Sequence, residues 1–331
     1  MRNGRGLPGA DRPPLPAGRL ACPSLSALLD DPHAIRHGIR GPDPRLSPDG
    51  DDVSLTVFLA VIAAAAMHAG WNAVLKLKLD PLLAAVLVGL GAAVIALPFA
   101  IWLGLPRAES WHWLAASIVV HLLYYIGLTS AYRLADMGQV YPVARGSAPL
   151  LTTLISLLVL KEPIGALGIA GVVTLALGIM TMALRAGGRA FDRKALGFAL
   201  ATGLAITAYT LLDGIGARAA QDPHVYSAWL FVGDGLLLVL FALWWKGPRG
   251  LAPALAFAVP GLSGGAMSLG SYWIAIWAMT VAPIGLVAAV RESSVLFGAI
   301  IAVIVLREPL APIRIVAAAL ILAGLALIRL G

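Results

Sequence analysis

The sequence predicts an all-α integral membrane protein of ten transmembrane helices, arranged as two five-helix repeats of inverted topology. Three observations carry that expectation. Of 331 residues, 60% are hydrophobic and only 12% charged, with a mean hydropathy of +0.88, where soluble domains run at about 45–50% apolar. The apolar runs are long enough to cross about 30 Å of hydrocarbon, which takes about 20 helical residues. A set of residues also recurs in the second half at a constant offset. A soluble helical protein would need polar outer faces, which most of these segments lack.

Residues 1–52 come first and read differently. They are rich in Pro, Gly, Arg and Asp, contain no apolar core of a signal peptide, and are expected to be a disordered tail. No Met separates Met1 from Met67, so the tail reads as the product of an upstream start site; N-terminal sequencing of native protein tests this. The seven Arg and seven Asp of the tail cancel, leaving the whole net charge of +7 on residues 53–331. Those basic residues are scattered through short loops and form no stripe, which argues against nucleic acid. The single cysteine, Cys22, rules out an internal disulfide or a cysteine-based metal site.

Ten spans follow, near 54–75, 82–103, 112–132, 138–160, 164–184, 195–216, 224–245, 255–280, 284–306 and 311–330. Only "TVAPIG" divides the eighth from the ninth. Arg145, Ser147, Leu150, Val159, Leu160, Glu162, Pro163, Ile169 and Gly178 match Arg291, Ser293, Leu296, Val305, Leu306, Glu308, Pro309, Ile315 and Gly324. With an odd number of spans per repeat, the second copy enters from the opposite side, the inverted arrangement found in secondary transporters. The expected units are 53–184 and 195–331, joined by a basic linker at 185–194. Basic residues favour the loops after odd-numbered spans, which puts both termini outside the cytoplasm, whereas the arginines of the tail pull the other way.

Ionisable groups inside the spans are His68, His121, Arg145, Asp213, Asp234, Arg291 and Glu292. Each is costly in hydrocarbon, about 2.5–3.5 kcal/mol for Arg or Asp at mid-membrane on insertion scales, so each should face an interior cavity or a partner. Arg145 and Arg291 are related by the repeat. Either they offer bidentate donors to a carboxylate or phosphate of a solute, or Asp213, Asp234 or Glu292 neutralises them, or they snorkel to the interface. Asp234, flanked by glycines in "VGDGL", is a proton-coupling candidate or a structural partner of an Arg. Asp213 lies closer to the end of its span, where a solvated or capping role competes with coupling. His68 and Asn72 share a face of the first span with Trp71 beside them. His68 titrates in the physiological range or is a neutral hydrogen-bonded group. Tyr125 and Tyr209, with Trp71 and Asn72, are candidate solute contacts, set against ordinary packing or interface anchoring. Glu162–Pro163 and Glu308–Pro309 read as helix starts that make tight hairpins.

"MHAGWNAVLK" at the end of the first span, with the paired "LKEP" and "LREP" hairpins on a 5+5 repeat, resembles the EamA-type permeases of the drug/metabolite transporter superfamily over residues 53–330. The resemblance implies a multi-pass carrier of the bacterial inner membrane that moves a small metabolite by alternating access; many such permeases are exporters. In the four-span small multidrug relatives, a membrane glutamate stands eight residues before a Lys. Here His68 stands in that place relative to Lys76. The expected partners are the lipid bilayer and a small-molecule solute, which the paired arginines suggest is anionic or zwitterionic, with a homodimer left open and no cofactor or metal.

Two rival classes remain. "GLSGG" at 261–265 fits the G-x-S-x-G of serine hydrolases, with Ser263 as nucleophile, yet a transmembrane run supplies no strand-to-helix elbow. Its glycine spacing also makes a helix-packing face. The other rival is a non-transporting scaffold or sensor.

Overall fold

The computed structural model describes residues 53–74, 79–134, 137–183, 193–304, 307 and 311–331. The expected tail, most of the linker, Lys76, and Glu308 with Pro309 lie outside the described residues. The described chain is helical, with no strand: α1 (Leu55–Val74), α2 (Pro81–Leu103), α3 (Trp111–Leu134), α4 (Met137–Leu158), α5 (Ala166–Ala183), α6 (Arg193–Ala220), α7 (Pro223–Leu251), α8 (Ala258–Val281), α9 (Ile284–Arg291), α10 (Ser294–Ile304) and α11 (Pro312–Leu330). Six stretches are apolar and long enough to cross a membrane, and one of them, Pro223–Val281, fuses α7 with α8.

Local chemistry sets the boundaries. Asp80 precedes Pro81 and accepts from the backbone N–H of Leu82 at 3.0 Å, and Gly104 ends α2 at φ 85°, the pairing of an acidic N-cap and Pro start with a left-handed glycine stop. Asp222 caps α7 in the same way, accepting from His224 N at 2.8 Å ahead of Pro223. Lys161 and Arg307, one in each repeat-related hairpin, both hold φ 56°. A non-glycine residue in that region costs about 1–2 kcal/mol, so the same turn is used twice.

Packing places α2 along α7, α5 along α11, α4 along α9, α3 along α6 and α1 along α8; α4 also meets α6, as α9 and α10 meet α1. Close approach depends on missing side chains. A Cβ on Gly171 would lie 2.7 Å from Gly324 O, and one on Gly265 would lie 2.4 Å from Ala92 N. The "GLSGG" glycines therefore seat α8 against α2, while Ser263 turns outward and donates to Pro260 O of its own helix at 2.9 Å.

The outer surface is apolar. Ile101, Leu204, Leu240 and Val259 are exposed, with Trp102 and Trp111 toward one end and Trp244 and Trp245 toward the other. Exposure of this kind suits lipid, and tryptophans at the two ends suit the headgroup level.

The ninth expected span, 284–306, is not continuous. Glu292 N bonds Ala289 O, and Ser293 N bonds Val290 O, both at 3.0 Å, so a tight turn with i→i+3 bonds separates α9 from α10. Such turns inside a helical run mark hinges or functional positions. Here the turn presents Arg291 and Glu292.

Candidate functional site

Charged and aromatic side chains from seven helices converge on one internal cavity. Its lining includes His68 and Trp71 (α1), His121, Tyr124 and Tyr125 (α3), Arg145 (α4), Tyr209 (α6), Asp234 (α7), Tyr272 (α8) and Arg291 (α9). About 60 Å³ of it admits water-sized occupants.

Neither arginine snorkels. Arg145 is 2% exposed and Arg291 3%, and the partner they share is Glu292 rather than Asp213 or Asp234. Arg145 Nη1 donates to both Glu292 oxygens, at 3.0 and 3.3 Å. Arg291 Nη2 stands 3.8 Å from Glu292 Oε1, too long for a hydrogen bond. Its guanidinium lies over the Tyr272 ring, 5.1 Å from the centroid, and its Nε finds no hydrogen-bond partner among the described residues. Two guanidiniums thus divide one carboxylate unequally, and the three groups carry a net charge of +1. A buried cation with incomplete pairing is where an added anion gains most.

His68 fixes Arg145 from the other side, at 2.5 Å between Nη2 and Nε2. A guanidinium only donates, so Nε2 must offer its lone pair. Protonating His68 would break that contact. Trp71 stands edge-on to His68, with its Nε1 3.2 Å from Nδ1. Asn72 does not join the lining: its amide turns back to His68 O at 2.8 Å.

Asp213 departs most from expectation. The apolar run suggested a place near the end of its span, with solvated or capping roles in view, but α6 continues to Ala220 and encloses the residue completely. Tyr272 OH donates to its Oδ2 at 2.5 Å and Tyr226 OH to its Oδ1 at 3.1 Å. Asp234 borders the cavity, and its Oδ1 has no hydrogen-bond partner among the described residues.

Glu162 does more than begin a hairpin. Buried at one membrane face, it accepts from Ile284 N at the start of α9 at 2.8 Å and pairs with Arg218 Nη2 at 2.6 Å. Arg218 also donates to Met279 O and Ala282 O. One carboxylate and one guanidinium thereby join the α4–α5 hairpin, the end of α6, the end of α8 and the start of α9.

Tyr124 and Tyr272 were not among the expected site residues. His121 was expected only as an interior-facing ionisable group, and Glu292 only as one possible neutraliser of the arginines; the repeat places Gly146 at the position matching Glu292, so this charge has no counterpart in the first half. Among the described residues no cluster of metal-ligating side chains occurs.

Fold and site together define a multi-pass helical membrane protein with a charged internal cavity. The EamA-like transporter family matches residues 54–184 and 193–330. The chain belongs to that family. No curated protein sequence matches it. A solved structure described only as the crystal structure of a protein shares the fold with a TM-score of 0.64 at 18% identity, covering 83% of this chain and 96% of that one.

Proposed function

We propose that the protein is a secondary carrier that moves a small anionic or zwitterionic solute across a bacterial inner membrane by alternating access, export being the commoner direction in the family. The observation that carries the solute class is the pair of buried guanidiniums sharing one carboxylate. Arg291 takes the acidic group of the solute, Arg145 supports it through Glu292, and Trp71, Tyr125 and Tyr209 form the walls. Asn72 joins only if its amide leaves the His68 carbonyl. Asp234, Asp213 and His68 are the groups available for proton coupling.

In this reading ten crossings form two inverted five-helix units, 53–184 and 195–331, with α9 and α10 making one crossing and 185–194 linking the halves. Helix contacts that exchange under the repeat support it. The packing of α3 on α6 matches that of α8 on α1, the packing of α4 on α6 matches that of α9 and α10 on α1, and α2 on α7 is its own counterpart. Inverted units of this kind place a site at their interface and expose it to each side in turn. The bilayer and the solute are the partners, and a homodimer remains an open assembly.

A thermal-shift screen with carboxylates, amino acids, phosphonates and lipophilic cations tests the solute class. Stabilisation by a carboxylate, amino acid or phosphonate that is lost in Arg291→Ala supports the reading. A response confined to lipophilic cations overturns it. Solute counterflow in liposomes tests transport itself, and absence of flux across the whole panel supports a scaffold or sensor instead.

A further inference from the structure

Beside the arginines, the buried centre holds two carboxylates with one imidazole between them. His121 Nδ1 lies 3.4 Å from Asp234 Oδ2, and its Nε2 lies 4.0 Å from Asp213 Oδ2. The ring is held from three sides: it stacks on Tyr209 with centroids 4.2 Å apart, meets Tyr272 edge-on at 5.9 Å, and has Ser117 Oγ 3.3 Å from Nδ1. The two acids differ in surroundings. Asp234 borders the cavity and keeps one oxygen without a hydrogen-bond partner among the described residues. Asp213 is sealed away, bonded to Tyr272 and to Tyr226 in the first turn of α7. Directly after Asp213, Gly214 packs on Ile284, whose N–H Glu162 holds. The inner acid is thus followed in sequence by a residue packed on the start of α9, while the outer acid borders the cavity.

We infer that His121 carries a proton between Asp213 and Asp234. Asp213 in its acid form gives its proton to Nε2 while the proton on Nδ1 passes to Asp234 Oδ2. Asp213 is left a carboxylate, Asp234 an acid, and His121 neutral in the opposite tautomer. One proton moves, and no charge stays on the ring. The Nε2 contact must shorten by about 1 Å to reach hydrogen-bonding distance. The groups facing His121 are Ser117 and Tyr125 on or near its own turn, Tyr209 and Asp213 from α6, Asp234 from α7, Tyr272 from α8 and Arg291 across the cavity. A transfer that never makes an imidazolium suits a place that already holds that guanidinium. A purely structural His121 would instead keep one tautomer, fixed by Ser117 and by the stack on Tyr209.

The use of this proton in a carrier rests on the function proposed above; the transfer itself is testable without any solute. The experiment is nitrogen-15 solid-state NMR of histidine-labelled full-length protein in liposomes between pH 5 and 9, with His121 assigned by the signals lost in His121→Gln. The expected result is both neutral tautomers of His121 in the native protein. In Asp234→Ala the resonances of the Nδ1–H form are lost, and in Asp213→Ala those of the Nε2–H form. A single tautomer that neither substitution changes, or an imidazolium throughout the range, overturns the inference. If either variant does not fold, the native spectrum decides alone, since one tautomer at every pH contradicts the transfer. Failure here leaves the flux and thermal-shift tests of the carrier untouched, and failure there leaves the tautomers unchanged.

Discussion

At the scale of the residue, the site turns on Glu292 and the unequal way two guanidiniums divide it. Arg145 holds both oxygens while Arg291 stands off at 3.8 Å. Removing the shared carboxylate takes the common counter-charge from two buried cations, and breaking one side of a buried pair costs about 3–5 kcal/mol. Glu292→Gln is therefore expected to destabilise the protein by about that amount, seen as a lower melting temperature in detergent. Arg291→Ala removes the less committed charge and leaves the Arg145 pair intact, so it should cost less stability than Glu292→Gln while abolishing stabilisation by acidic solutes. A larger stability loss in Arg291→Ala than in Glu292→Gln would contradict this division of roles. Much of this chemistry was legible in the sequence, because a charge inside an apolar run announces a partner or a cavity. Arg145, Arg291, Trp71, Tyr125, Tyr209, Asp234 and His68 all border the cavity. Which acid partners which base was not legible. That depends on the turn after Arg291, where "RESS" contains neither Gly nor Pro to signal an interruption. Asn72 illustrates the opposite limit: helical spacing placed it on the right face, but its amide found a nearer acceptor one turn back.

At the scale of the element, helix ends and close helix pairs hold the site in place. Glu162 is buried and Arg218 half-buried, and between them they satisfy Ile284 N, Met279 O and Ala282 O. Glu162→Gln should cost about 3–5 kcal/mol by leaving Arg218 unpaired, measurable as a fall in melting temperature. At the other membrane face, Lys246 Nζ meets Asp80 Oδ2 at 3.1 Å. Partial burial pushes the Asp80 carboxyl up, but the Lys246 ammonium and the N–H groups of Leu82 and Leu83 outweigh it and hold the carboxyl below its usual range. Because the folded value lies below the unfolded one, the contribution is present above about pH 4 and fades as the pH falls further. Asp80→Asn keeps the helix cap and removes only the charge. The melting temperatures of native and variant protein should differ slightly at pH 7 and converge by pH 3; a gap that widens on acidification would refute the assignment. At the α5–α11 contact, Gly324→Leu would drive a side chain into Gly171 O, and overpacking costs about 1–3 kcal/mol. The sequence revealed the hairpins and the glycine-rich faces because turn chemistry is local. It placed the end of the sixth span near 216 where α6 runs on to Ala220; Arg218 resembles an exit from the membrane, and its charge is answered by a carboxylate distant in sequence, Glu162.

At the scale of the whole molecule, helices that present apolar side chains outward surround a narrow charged cavity, and the carrier proposed above has to expose it. The central claim is that opening occurs toward each side in turn. Ser268 borders the cavity, its side chain is small, and Cys22 is the only native cysteine, so a Cys22→Ser, Ser268→Cys protein reports access at one position. The most direct measurement is labelling of that cysteine by a small membrane-impermeant thiol reagent, in right-side-out and in inverted vesicles. The account predicts labelling from both faces, slowed in each orientation by an acidic solute that stabilises the protein. Labelling from one face only, or from neither, would contradict it.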